Sequence, residues 1–103
     1  MELWESDLRD ELVRKRGANC EICNSRRATE FNHCLIHDSK RFHKILTCEE
    51  NGQLVCIVCH NSKGHSRKNR EEFAYKQIRR GYDIGKWARG LPLRNVEQWL
   101  KDL

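Results

Sequence analysis

The sequence predicts a small α+β domain closed by a bound metal ion, with a helix at the front and helices at the back. Three observations predict it: two Cys-x-x-Cys pairs far apart in the chain, a β-favouring stretch between them, and helical patterns ending at glycines on either side. A chain of 103 residues with 38% hydrophobic and 34% charged residues buries only a modest core. Unstapled, it would lie close to the disordered class, so a covalent or metal staple is expected.

Residues 2–16 read as a helix, with Trp4, Leu8, Leu12 and Val13 to one side and Gly17 as its C-terminal stop. This helix is expected to pack over the metal site. Cys20-Glu-Ile-Cys23 forms a tight knuckle, and Thr29–Ile36 alternates enough to be a strand, followed by a polar loop over His37–Lys44. Ile45–Thr47 and Leu54–Val55 flank Asn51-Gly52, a dipeptide that favours a hairpin turn because both residues tolerate positive φ. Cys56-Ile-Val-Cys59 is the second knuckle. From Ser66 to Arg80 the pattern is helical, with Ser66 as cap, an apolar side of Phe73, Ala74, Tyr75 and Ile78, and a stop at Gly81. The remainder, with Ile84, Trp87, Leu91, Val96, Trp99 and Leu100 around Pro92, predicts two short helices folding back on the body, the tryptophans in the core. Residues 1–103 therefore read as one domain: helix to 16, knuckles and core over 17–80, helical tail over 81–103.

Cys20, Cys23, Cys56 and Cys59 supply four thiolates that a tetrahedral Zn²⁺ gathers from two knuckles. A redox role for either pair needs a βαβ context that the neighbouring residues do not offer. The N-terminus carries acids and bases throughout and has no leader-like apolar stretch, so a soluble, cytoplasmic protein with reduced thiols and no membrane partner is expected. Cys34 and Cys48 read as small, partly buried apolar residues. Residues 1–60 hold nine Lys/Arg against ten Asp/Glu, and residues 61–103 eleven against five. A positive surface concentrated in one part of the chain attracts phosphates, which points to nucleic acid as partner; a merely solvated basic face is the alternative.

Between the knuckles the chain reads Glu30-Phe-Asn-His33-Cys34, then Asn51 five residues ahead of Cys56, then Cys-x-x-Cys-His60 leading to a helix. Over roughly residues 17–75 this resembles the cysteine-bearing branch of the HNH (ββα-metal) endonucleases, and the basic helix and tryptophan-bearing tail are similar to small phage-type HNH proteins. The resemblance implies a structural zinc on the four cysteines, His33 as general base, Asn51 as the central Asn whose amide bonds across the ββ loop, and His60 as ligand of one catalytic divalent ion, Mg²⁺, Mn²⁺, Ni²⁺ or Zn²⁺. The residue before the base is usually Asp or His and here is Asn32, an uncharged donor. Restoring a carboxylate there is expected to strengthen metal use, and His37 or His65 is placed to complete the shell.

The implied activity is hydrolysis of DNA to 5′-phosphate and 3′-hydroxyl ends. A neutral imidazole suits deprotonation of water near neutral pH, and a divalent ion suits the charge that develops on the phosphate. Lys63, Arg67, Lys68, Arg70, Lys76, Arg79 and Arg80 are expected to hold the DNA backbone through phosphate contacts, with little base specificity. Two other classes fit the same residues: a nucleic-acid-binding module with catalysis lost, favoured by Asn32, and a zinc domain whose basic face meets an acidic protein.

Overall fold

In the computed structural model, residues 5–37, 42–93 and 96–101 are described. Trp4, part of the loop after His37, and the residues around Arg94 lie outside that set. The elements run α1 (Glu5–Arg16), β1 (Glu30–His33), α2 (His43–Leu46), β2 (Gly52–Val55), α3 (Ile57–Lys63), α4 (Arg67–Arg79), α5 (Ile84–Arg89) and α6 (Val96–Lys101). The architecture is a small α+β arrangement around a two-stranded antiparallel sheet. No helix among the described residues is long and apolar enough to cross a membrane.

The sheet pairs Glu30 with Val55, Phe31 with Leu54, Asn32 with Gln53 and His33 with Gly52. Successive side chains in a strand face opposite sides, and here the two sides differ in chemistry. Phe31 and Leu54 join Leu8 and Leu12 of α1 in one apolar cluster. On the other side Asn32 and Gln53 are fully buried against Asn69 of α4. Helix α1 thus packs on the sheet, and the expectation that it covers the zinc site is corrected; its buried leucines match the aromatic face of β1. Gly17, at φ +95°, ends α1 and donates to the Val13 carbonyl.

The chain does turn at Asn51-Gly52, Asn51 N donating to the Cys48 carbonyl at 3.3 Å and Gly52 N to the Glu49 carbonyl at 3.4 Å, but the expected hairpin is corrected. Ile45 lies in α2 and is exposed, and β2 pairs with β1 across an eighteen-residue connection instead of with a strand at 45–47. Gly52 is required for a different reason: a Cβ there would run into the Phe31 ring. β1 itself stops at His33, short of the predicted Ile36.

Ser66 caps α4 as expected, accepting from Asn69 N, and Gly81, at φ +97°, follows its end. Its buried face is Asn69, Arg70, Phe73, Ala74 and Gln77, whereas Tyr75 is 70% and Ile78 62% exposed. The apolar side is therefore turned by about one residue from the predicted one, because part of the surface that α4 covers is polar. Phe73 and Ala74 reach the main core with Cys34, Leu35, Ile36, Leu46, Ile84, Ala88 and Val96, and Trp87 and Trp99 pack against it partly buried. The tail is thus part of the body.

Candidate metal centres and histidine cleft

The four knuckle sulfurs lie within 4.8 Å of one another, a set that could hold a metal ion. The fold brings them together in a specific way. The first knuckle is a small hairpin closed by the Asn19–Arg27 bridge, and Glu21 N and Thr29 N bond to the Leu54 and Val55 carbonyls of β2. Cys56 follows β2 directly and caps α3, its sulfur accepting from Cys59 N at 3.4 Å, while the Cys20 sulfur accepts from Ile22 N at 3.4 Å. Such N–H donors favour thiolate. Bonds from Ser25, first its hydroxyl and then its amide, hold Cys23 down to about 5, while burial and then the neighbouring thiols push Cys59 up to about 12. Four sulfurs this close do not ionise together without a cation between them, and the donor set fits tetrahedral zinc. Cys34 and Cys48 stand apart, their thiols pushed up by burial to about 12 and about 11.

A latch beside the first knuckle escaped the sequence reading. Glu21, almost fully buried, meets Arg16 at 3.3 Å and Arg80 at 2.6 Å, and accepts from Leu54 N at 2.6 Å. Arg16 also donates to the Gly52 carbonyl at 2.6 Å and the Glu49 carbonyl at 3.2 Å.

All five histidines of the chain, His33, His37, His43, His60 and His65, line one cleft of about 210 Å³ with Asn32, Phe31 and Leu46. No acid lines it. His33 ends β1 and bonds through Nε2 to Thr47 Oγ1 at 2.9 Å. Thr47 gives its one hydroxyl proton to the His43 carbonyl at 2.7 Å, so it can only accept from His33. Nε2 therefore carries the proton and Nδ1 keeps a lone pair. Burial, followed by repulsion from His43 and the other imidazoles, holds His33 down to about 4, so the ring is neutral at pH 7 with lowered basicity.

His60 sits on α3, with Nδ1 2.8 Å from Glu30 Oε1. A carboxylate only accepts, so Nδ1 carries a proton and Nε2 is the nitrogen left for another partner. This is the arrangement in which a carboxylate orients a metal-binding imidazole. Glu30 was missed in the sequence. The available signal was strand parity, since Glu30 and Asn32 share the face of β1 opposite to His33.

Asn51 is fully buried, and its side chain spans the connection between the strands. Oδ1 accepts from Leu35 N at 2.9 Å and Ile36 N at 2.8 Å, and Nδ2 donates to the Ile36 carbonyl at 2.8 Å and the Leu46 carbonyl at 2.9 Å. Cys34 N bonds to the Asn51 carbonyl as well. These bonds fix the backbone just after His33.

Asn32 is equally buried. Its Nδ2 donates to the Gly64 carbonyl at 2.7 Å and Gln53 Oε1 at 3.0 Å, and its Oδ1 has no hydrogen-bond partner. The Gly64 carbonyl can only accept, which fixes the amide: nitrogen inward, orphaned oxygen away. A buried acceptor without a donor is costly unless a cation or water meets it. With His60, this orphan oxygen fits a cation in the cleft. The same geometry gives a carboxylate at 32 a cost to the fold, because one oxygen of an aspartate would confront the Gly64 carbonyl.

The basic residues assigned to DNA divide. Arg70 is buried, its guanidinium bonded to the Leu35 carbonyl through Nε at 3.2 Å and Nη2 at 3.0 Å and lying 5.0 Å from the Trp99 ring centre. It is a core brace, which corrects its assignment to phosphate. Lys76 bonds to the Glu21 carbonyl at 2.9 Å and Arg80 to the Glu21 carboxylate, while Arg67 pairs with Glu71 at 3.2 Å. Lys63, Lys68 and Arg79 point to solvent.

Compared with known proteins, the chain matches no protein-family model, no curated protein and no solved structure.

Proposed function

We propose that this chain is a metal-dependent endonuclease of the HNH type that hydrolyses DNA phosphodiester bonds, with zinc on the four cysteines as its structural staple. The observation that carries the reading is that His33, with a free Nδ1, and His60, with a free Nε2, face one cleft whose backbone is tied by Asn51. Resemblance over the two knuckles and the histidine and asparagine positions points the same way.

In this reading His60 Nε2 and Asn32 Oδ1 hold one divalent ion, which when bound would offset charge on the attacked phosphate and on the departing 3′ oxygen. His33 Nδ1 takes a proton from water, and the water oxygen attacks phosphorus opposite the 3′ oxygen. The P–O3′ bond breaks, and the 3′ oxygen is protonated from solvent. Thr47 holds the His33 ring and Glu30 holds the His60 ring, so neither imidazole needs to reorient during the reaction. Lys63, Lys68 and Arg79 steer the DNA backbone without reading bases.

The test is nicking of supercoiled plasmid by the zinc-loaded protein with added divalent metal ions, beside His33→Ala. Loss of nicking in that variant supports the enzyme. No nicking with any metal, together with a salt-sensitive shift of DNA in a gel, favours a binding module instead, a reading that Asn32 in place of a charged ligand also favours.

A further inference from the structure

Helix α4 leaves one face uncovered. Tyr75, at 70%, and Ile78, at 62%, are the two most exposed large apolar side chains among the described residues. They stand one turn apart and form one patch. A shallow groove of about 400 Å³ runs beside Tyr75, lined by Glu71, Glu72, Tyr75, Lys76 and Arg79. Glu72 lies one turn before Tyr75 and Arg79 one turn after it. At ~100° per residue both fall to the same side of Tyr75, by about 60° and about 40°, and about 10 Å apart along the axis. Both are exposed, and among the described residues neither meets an opposite charge.

We infer that a second copy of this chain docks on this face, as an antiparallel α4 pair related by a two-fold axis at Tyr75. The charge pattern selects that occupant. A two-fold that reverses the helix direction keeps the same side of each helix in register, so Glu72 of one copy meets Arg79 of the other, and the contact occurs twice. The two tyrosines pack at the centre between these ion pairs, where aromatic side chains contribute most to an interface. A parallel pair would instead set Glu72 against Glu72 and Arg79 against Arg79. The carboxylates of Glu71 and Glu72 disfavour a phosphate backbone along the apolar patch itself, leaving to DNA only Arg79 at its end. A helix of 13 residues is about 20 Å long, so the contact falls below about 1,200 Å² in total, and association is weak and concentration-dependent. The inference does not rest on the nuclease reading. Where both hold, a second copy and a DNA backbone compete for Arg79.

The experiment is sedimentation equilibrium of the zinc-loaded chain without DNA, from about 1 µM to about 1 mM, a range that spans weak association. The expected result is a mass that rises from 12.3 kDa toward twice that value and no further, because a two-fold contact closes on itself. Glu72→Arg and Arg79→Glu are each expected to weaken self-association by about tenfold or more, since each sets like charges opposite one another twice. Both side chains are exposed, so the circular dichroism of each variant should match the native chain. Mixed in equal amounts, the two variants are expected to associate again: reversed side chain then faces reversed, and native faces native, with opposite signs at every contact. A native chain that stays at 12.3 kDa throughout overturns the inference. Growth beyond the dimer, association that both reversals leave untouched, or a mixture that associates no better than its components overturns it as well.

Discussion

Replacing Asn32 with aspartate separates a fold requirement from a ligand requirement at one atom. In the native chain Nδ2 gives both its protons away, to Gly64 O at 2.7 Å and Gln53 Oε1 at 3.0 Å. In the Asn32→Asp chain those two bonds vanish, at about 1 kcal/mol each, and a buried carboxylate oxygen is set against the Gly64 carbonyl, a further ~1–3 kcal/mol. Gly64 O and Gln53 Oε1 keep Asn69 Nδ2 as a donor at 3.2 and 2.9 Å, so no second penalty arises from orphaned acceptors. The loss is then about 3–5 kcal/mol, a fall in melting temperature of at least about 12 °C for a domain of this size. A divalent ion in the cleft gives the carboxylate its missing partner, so added Mn²⁺ should raise the melting temperature of the variant more than that of the native chain. The assay is thermal melting of the zinc-loaded proteins followed by circular dichroism, with and without Mn²⁺. A variant that melts within about 2 °C of the native chain without added ion would show that the amide does not point its nitrogen at Gly64, and the orphan-oxygen argument would fail with it.

Stripping zinc with a strong chelator should unfold the chain, since metal binding in such domains contributes on the order of 10 kcal/mol or more of folding free energy; loss of the helical dichroism signal, restored by added zinc, is the readout. Glu21→Ala should cost about 3–5 kcal/mol in urea denaturation, because it leaves the buried Arg16 without its carboxylate and the Leu54 N–H without its acceptor. Joint replacement of Arg16 and Glu21 by apolar residues should cost less than Glu21→Ala alone. Lys68→Ala and Arg79→Ala should each weaken DNA binding uniformly across sequences and lower the log–log salt slope by about 1 in titrations at several salt concentrations. Arg70→Ala should instead lower the melting temperature, since its guanidinium braces Leu35 and Trp99.

What the sequence disclosed depended on how local each signal was. The knuckles, the Ser66 cap and the glycine stops act within a few residues, and each is found where the pattern put it. The Asn51-Gly52 pair turns the chain as its local preference asks, but the hairpin it suggested is absent, because Asn51 is used at long range: four side-chain bonds to residues five to sixteen positions away. Tyr75 and Ile78 misled for a related reason. Hydrophobicity alone could not show that part of the partner surface offers the amide of Gln53, which α4 answers with Asn69. Arg70 and Glu30 were hidden in the same way, one counted with the charges of its helix and the other passed over, until their partners across the fold appeared.

Glu21 lies between two residues of the first knuckle, yet its carboxylate and backbone touch α1, β2 and α4. With a metal ion on the four cysteines as its staple, loss of that ion would free the loop carrying that residue, and with it would go the counter-charge for two guanidiniums and the lateral support of the strand that ends at the second knuckle. Metal supply should therefore act on the number of working molecules and not on the quality of each: a partly supplied preparation divides into intact and collapsed chains, its output rising in proportion to the filled fraction.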